Sequence, residues 1–311
     1  MNCKITETID KLYFLLQREK AQSNEIIFSE AIEKYISSKC NILSPSTVRG
    51  YRIMQKNSFD FLNSKPLNTI DEFVLQEWAN INALKYASKT LHNQFGLITA
   101  VLKQNRIDLD VSRVQLKPKE HPKYIVPDLQ EMSQIISLVY GEEIELPVLF
   151  ALLLGLRQSE IAALKWCNYT NGQISIIGAK VPNERNQLVE KKTNKSISST
   201  RTLKVPDYLQ KRLDSLRNSI SSDYISPLPP NVILKRFFKL LKGNNMRRFT
   251  MHSLRHANAS LMLLLGVSDK YAMERLGQST PYMLKTVYQH TFDAEKERTA
   301  NIINDAINKL V

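Results

Sequence analysis

Apolar positions in the first hundred residues recur every three or four residues, and each run ends at a polar or proline-bearing stop. Phe28, Ile32, Tyr35 and Ile36 share one stripe between Ile27 and Ser37, which predicts a helix. Ser44-Pro45-Ser46 marks the next start, because serine caps a freed amide and proline fits a first turn; this helix is expected to reach Leu62. Thr69-Ile70-Asp71 opens a third helix containing Phe73, Leu75 and Trp78, and Ser88 is read as the cap of a fourth ending near Asn105. Together they predict a helical bundle over 28–107, preceded by an extension over 1–27.

From Asp108 the periodicity fails, and Lys117-Pro118-Lys119-Glu120-His121-Pro122-Lys123 has the proline and charge content of an exposed connector. A linker is therefore expected over 108–126 and a second domain over 127–311. Helical patterns resume at Leu129 to Tyr140 and Leu146 to Leu154. Ile174 to Ile177 and Arg201 to Val205 alternate or are β-branched, as strands are, and a polar stretch rich in Lys and Asn separates them. The chain from Pro206 reads as helices again. Its last stripe, Ile302, Ile303, Ala306, Ile307 and Leu310, either completes its own core or docks elsewhere. The expected class is mainly α with a small β-sheet, α+β.

At 311 residues the chain exceeds the usual size of one hydrophobic core, which agrees with two domains. Its 43 Lys and Arg outnumber 30 Asp and Glu, and a net charge of +13 favours a polyanionic partner. Arg49, Arg52 and Lys56 recur at helical spacing and Lys89 adds to them, although a solvated face would read the same way. Between Asp223 and Asp269 there is no acidic residue, while Lys235, Arg236, Lys239, Lys242, Arg247, Arg248 and Arg255 make a positive field. Arg247 and Arg248 are thus candidate nucleic-acid contacts. Cys3, Cys40 and Cys167 are scattered, which suggests neither a disulfide framework nor a zinc site and fits a reducing cytosol. No uncharged apolar run approaches the roughly 18 residues of a membrane span, so a cytoplasmic location is expected.

The chemistry concentrates near the C-terminus. His252-Ser253-Leu254-Arg255-His256, Leu276-Gly277-Gln278-Ser279 and Tyr288 supply an imidazole, a cation and a hydroxyl, the parts of a metal-free phosphoryl-transfer site. Farther upstream, Gly155-Leu156-Arg157 precedes Glu160 by one helical turn. Glu160 either orients Arg157 or forms an ordinary surface ion pair with it.

In their order along the chain, Gly155-Leu156-Arg157 with Glu160, a lysine in a strand-rich hairpin, His252 with Arg255, Leu276-Gly277 with Ser279, and Tyr288 resemble the tyrosine recombinase, or phage integrase, family. The resemblance runs from about Phe28 to the C-terminus and implies a helical core-binding domain before a catalytic domain. It implies that Arg157 and Arg255 grip the scissile phosphate, that His252 assists proton transfer, and that Tyr288 forms a 3′-phosphotyrosyl intermediate without metal, ATP or another cofactor. For the general acid, Lys195-Ser196-Ile197-Ser198-Ser199-Thr200-Arg201-Thr202-Leu203 matches the family's hairpin pattern without a gap and favours Lys195, with Lys192 as the alternative. Gln278 stands where the family usually has histidine or tryptophan. Its amide donates a hydrogen bond but does not titrate, so a slower enzyme is expected.

The resemblance further implies double-stranded DNA at an attachment or recombination site as partner, a tetramer on synapsed DNA, and DNA-bending or directionality proteins as accessories. Two other readings stay open. A type IB topoisomerase would use a similar pocket, and a DNA-binding homologue with weak or lost chemistry is hinted at by Gln278.

Overall fold

The computed structural model describes residues 26–120, 124–191 and 200–280. Most of the 1–27 extension, Lys192, Lys195, Tyr288 and the stripe from Ile302 to Leu310 lie outside the described residues. Two compact units divide the chain, one running to His121 and taking in Pro182–Gln187, the other formed by Pro122–Val181 and the chain from Leu188 onward.

In the first unit, helix α1 (Phe28–Lys39) buries Phe28, Ala31, Ile32, Tyr35 and Ile36 on one stripe. Helix α2 (Pro45–Ser58) starts at Ser44, whose hydroxyl accepts from the Thr47 amide, with Pro45 in the first turn. It stops at Ser58 rather than Leu62. Phe59 breaks it, buried against Phe28 and Trp78, and a short helix α3 (Asp60–Asn63) follows. Helix α4 (Glu72–Ala83) is capped by Asp71, which accepts from the Val74 amide at 2.8 Å. Helix α5 (Ser88–Gln104) completes the bundle, but Ser88 is not its cap. That hydroxyl instead donates to the carbonyl of Lys117 at 3.1 Å. Trp78 sits at the centre, its indole N–H donating to the Ser58 carbonyl at 3.0 Å.

The first half of the stretch expected to be an exposed connector belongs to this bundle. Ile107, Leu109, Val111, Val114 and Leu116 pack on its core. The Gln76 amide grips the backbone of Gln115 from both sides, accepting from its N–H at 2.8 Å and donating to its carbonyl at 3.1 Å. A segment carrying five apolar residues does not stay in water when a groove accepts them.

The second unit is built around helix α7 (Glu145–Leu153), which is buried on nearly all sides. Helix α6 (Leu129–Val139) packs beside it and begins with a reciprocal cap between Asp128 and Glu131. After the short helix α8 (Gln158–Ile161), strands β1 (Tyr169–Thr170), β2 (Gln173–Ile176) and a later strand β5 (Arg201–Lys204) form an antiparallel sheet in the order β1-β2-β5. Ile176 pairs with Arg201 and Ile174 with Leu203. The polar stretch between β2 and β5 contains a further hairpin, β3 (Lys180–Pro182) and β4 (Leu188–Glu190).

Helices α9 (Asp207–Leu216), α10 (Pro230–Gly243), α11 (Met251–Leu264) and α12 (Asp269–Leu276) follow. Helix α11 lies along α7, and its Asn258 amide donates to the carbonyls of Leu152 and Leu153, both at 3.0 Å. No described helix is long and apolar enough to cross a membrane.

Candidate active site

Three sequence-distant turns of the second unit converge on one carboxylate. Helix α7 ends at Gly155, whose φ of +65° reverses the chain into Leu156 and Arg157. A side chain at that position would meet the Leu276 side chain at 2.5 Å and the Asn258 side chain at 2.7 Å, so backbone sign and space both require glycine. Arg157 then precedes α8. Its backbone N–H donates to Glu160 Oε2 and its Nη1 to Glu160 Oε1, both at 2.8 Å. Glu160 is therefore more than a surface ion-pair partner.

The same carboxylate accepts two bonds from Arg201, Nη1 to Oε1 at 3.1 Å and Nη2 to Oε2 at 3.0 Å. Arg255 approaches it at 3.9 Å. Glu160 is buried; desolvation opposes its charge, but hydrogen bonding and the positive field of Arg201, followed by Arg157, outweigh that and hold its pKa below the usual carboxylate value. One anion thus stands among three guanidiniums.

The C-terminal end of α12 supplies the rest of the counter-charge. Gly277 is left-handed at φ +60°, and the Gln278 and Gly277 amides donate back to the carbonyls of Met273 and Glu274. The next three carbonyls in the chain go to the arginines. Arg201 Nε donates to Arg275 O at 2.7 Å, Arg255 Nη2 to Leu276 O at 2.7 Å, and Arg157 Nη2 to Gly277 O at 2.8 Å. A helix C-terminus carries partial negative charge, which favours cations there. Arg255 also donates to Gly155 O at 2.5 Å.

Arg255 is 2% exposed, whereas the Arg157 side chain keeps 36% of its surface in solvent. Burial first, then the Arg157 charge, lowers the Arg255 pKa to about 9, which leaves it cationic at neutral pH. Helix α11 begins at Thr250, which exchanges caps with Ser253, and this start places His252 and Arg255 one turn apart. His252 is exposed and His256 is buried, with their rings 4.4 Å apart and nearly perpendicular. Tyr124 packs edge-on against His256, with ring centroids 4.9 Å apart. Partial desolvation, then Arg255 and Arg157, lowers the His252 pKa below its ordinary value and favours the neutral imidazole. Gln278 lies just past α12, and its side-chain oxygen is buried without a hydrogen-bond partner among the described residues.

Arg157, His252, Arg255 and Gln278 are thus gathered in one unit, while Lys195, Lys192 and Tyr288 lie outside the described residues. Arg201, within the hairpin pattern, is a site residue to which the sequence pattern assigns no role. The signal was its register, since strand alternation puts it on the face of buried Leu203, where an arginine needs a buried partner.

The basic candidates divide. Arg52 is turned into an ion pair with Glu33, which draws the Glu33 pKa down to about 2, and it also donates to Gln55 at 3.0 Å. Arg247 is bound to Glu131, with Nε to Oε1 at 2.8 Å, and Arg236 pairs with Glu143. Arg236 and Arg247 of the 223–269 stretch, and Arg52 of the bundle, thus stand in ion pairs in the DNA-free protein. Acidic residues distant in sequence, Glu33, Glu131 and Glu143, neutralise them. Arg248 is exposed and lies over the Phe238 ring at 4.0 Å; Lys56 and Lys89 are exposed and Arg49 is half-buried.

Residues 128–295 match the sequence profile of the phage integrase family. The chain is 24% identical over 208 residues to a XerC-like tyrosine recombinase of Caldanaerobacter subterraneus subsp. tengcongensis, covering 57% of this chain and 53% of that protein. An integrase of Saccharopolyspora erythraea is 32% identical over 78 residues, 25% of this chain and 18% of that one. The chain therefore spans about half, or less, of the length of the curated relatives it matches.

Among solved structures, the Tn1549 transposon integrase in complex with transposon right end DNA superposes with a TM-score of 0.69 at 20% identity, covering 88% of this chain and 100% of that one. A lambda integrase dimer bound to a COC′ core site gives 0.65 at 16% identity, covering 93% and 88%. At such identities the likeness shows the shared α+β fold. The family profile covers more than half of the sequence, and the chain belongs to the phage integrase family.

Proposed function

We propose that this protein is a site-specific DNA recombinase that breaks and rejoins DNA through a 3′-phosphotyrosyl intermediate. The observation that carries the reading is the pair Arg157 and Arg255, fixed on adjacent carbonyls with His252 one helical turn from Arg255. Forked guanidinium donors match paired phosphate oxygens, and donors fixed in advance stabilise developing charge without reorganising. Arg157 and Arg255 bind the non-bridging oxygens of the scissile phosphate, and His252 and the Gln278 amide complete the donor set. The Tyr288 hydroxyl attacks phosphorus and gives up its proton, with neutral His252 able to accept one. The bond to the 5′ oxygen breaks, and Lys195, or Lys192 in its place, protonates that oxygen to a 5′-hydroxyl. The phosphodiester energy is kept in the protein linkage, so the reverse attack reseals the strand.

The proposed partner is duplex DNA carrying an attachment or recombination site. Solved relatives are described in complex with DNA, one of them as a lambda integrase tetramer bound to a Holliday junction. We take this chain to assemble likewise, as a tetramer in the bacterial cytoplasm with DNA-bending or directionality proteins assisting. A groove of about 960 Å³ beside α11 and α12, with Leu265 and Tyr271 exposed along it, supports self-association. Its proposed occupant is the apolar stripe Ile302 to Leu310 of a neighbouring copy.

The test uses duplex DNA from the junctions flanking the gene, nicked beside the cleavage position so that the 5′-hydroxyl fragment diffuses away. A covalent adduct formed without metal or ATP, and absent from Tyr288→Phe, is the expected result. Tight binding with no adduct would favour the idle DNA-binding reading, and supercoil relaxation without strand exchange would favour a topoisomerase.

A further inference from the structure

Arg201 takes no part in the proposed chemistry, yet it is nearly as enclosed as Arg255 and far more so than Arg157. Its side chain is 5% exposed, as is that of Glu160. It spans both carboxylate oxygens and, through Nε, the carbonyl of Arg275. Glu160 in turn holds Arg157 by both backbone and side chain, and the peptides after Arg275 hold Arg255 and Arg157.

We infer that Arg201 is a positioning residue: from β5's inner face it fastens Glu160 of α8 to the last turn of α12, and so sets where the guanidiniums of Arg157 and Arg255 stand. The inference rests on the recombinase reading for its consequence in catalysis, though the placement itself is a property of the protein alone.

Two physical points favour orientation over mere stability. A buried ion pair is commonly replaced by apolar side chains of similar volume at no loss of stability, so the sheet's inner face did not require an arginine for burial. A lysine ammonium is a single point charge, whereas only the planar fork presents two donors to a carboxylate and a third to a carbonyl at once. Because Arg275, Leu276 and Gly277 are consecutive, a shift of the α12 end moves both phosphate-gripping side chains together.

The experiment compares the parent chain with Arg201→Lys, Arg201→Gln and Leu203→Ala. Leu203 shares the strand and its buried face but touches neither Glu160 nor α12's carbonyls in the bonds above, so its variant calibrates loss of stability alone. Affinity for nicked duplex, the adduct-forming rate at saturating DNA and the melting temperature are measured for each. Expected for both Arg201 variants is affinity within about threefold of the parent and adduct formation slower by about 100-fold, the cost of misplacing a catalytic group by about 1 Å.

Guanidinium NMR signals of Arg157 and Arg255, recorded without DNA, are expected to be restrained in the parent and in Leu203→Ala and to average by rotation in Arg201→Lys. Parent-like cleavage in Arg201→Lys, or losses that track melting temperature as in Leu203→Ala, would overturn the inference. Failure of the parent to form any adduct would overturn the recombinase reading instead, and the NMR comparison would still decide the placement.

Discussion

Arg157 and Arg255 are tied to neighbouring peptide carbonyls, Gly277 O and Leu276 O, so a single peptide unit sets the spacing of the two guanidiniums. Each also leans on Glu160, Arg157 by a 2.8 Å bond and Arg255 by a 3.9 Å approach. The pair is therefore held in place by the protein alone, and for a site that binds phosphate, as proposed, that is the condition under which fixed donors lower a barrier most. What holds it is backbone geometry at Gly155 and Gly277 together with one buried carboxylate.

Replacing Gly155 by alanine tests the first of these supports. The new methyl would meet Leu276 and Asn258 well inside contact distance, on a backbone of positive φ. The left-handed conformation alone costs an L-residue about 1–2 kcal/mol, and the overlap adds to it. Urea unfolding of Gly155→Ala should show a loss of at least about 1 kcal/mol, and adduct formation should fall by more than DNA affinity. An unchanged unfolding midpoint would mean that the turn is not fixed as described.

Glu160→Gln keeps the shape and removes the charge. Arg201 would then be a buried cation with no anion, and breaking one side of such a pair costs about 3–5 kcal/mol. The expected outcome is a destabilisation near 3 kcal/mol in denaturant, with adduct formation lost in whatever fraction stays folded at low temperature. A neutral effect on stability would show that the three arginines do not depend on this carboxylate.

Much of this was legible in the sequence, for local reasons. Ser44-Pro45 and Asp71 announce their helices because capping is decided within a turn. Strands β2 and β5 show through the alternating or β-branched runs Ile174 to Ile177 and Arg201 to Val205. What was not legible depended on distant partners. Ser88 bonds to Lys117 rather than to its own helix, and the 108–117 segment finds a groove on the bundle. Arg52 and Arg247 meet Glu33 and Glu131, and nothing local marks those acidic residues as their partners. At the site, order along the chain picked out Arg157, His252 and Arg255, but the joining role of Glu160 and Arg201 is visible only once three turns are brought together.

Salt titration of DNA binding separates Arg247 from Arg248. Arg247 is engaged with Glu131, so its loss removes an internal pair, whereas exposed Arg248 on the Phe238 ring has its charge toward solvent. Arg248→Ala should lower the slope of log affinity against log salt by about 0.9, one phosphate's worth, and Arg247→Ala should leave the slope within error of the parent. Equal reductions would mean that Arg247 abandons Glu131 on DNA.

Acid should weaken the fold in two separate windows, the upper one set by His256. Burial, then the charges of His252 and Arg255, lowers the His256 pKa to about 4 from an ordinary 6.5, so the folded state resists a proton that the unfolded chain takes up. Its contribution is therefore complete above about pH 6.5 and is lost as pH falls from there toward 4, on the order of 3 kcal/mol in all. His252, lowered for related reasons, changes stability in the same direction. Glu160 acts lower. Its folded pKa lies beneath the unfolded carboxylate value of about 4.3, so its contribution is present above that pH and lost as pH drops through the folded value. Urea midpoints from pH 8 to pH 3 should thus fall in two stages, and His256→Gln should flatten the first while leaving the second. If the His256→Gln curve keeps the parent's slope between pH 6.5 and 4, the buried ring is not the group that acid must charge, and the contact of Tyr124 and His252 with it has no bearing on acid stability.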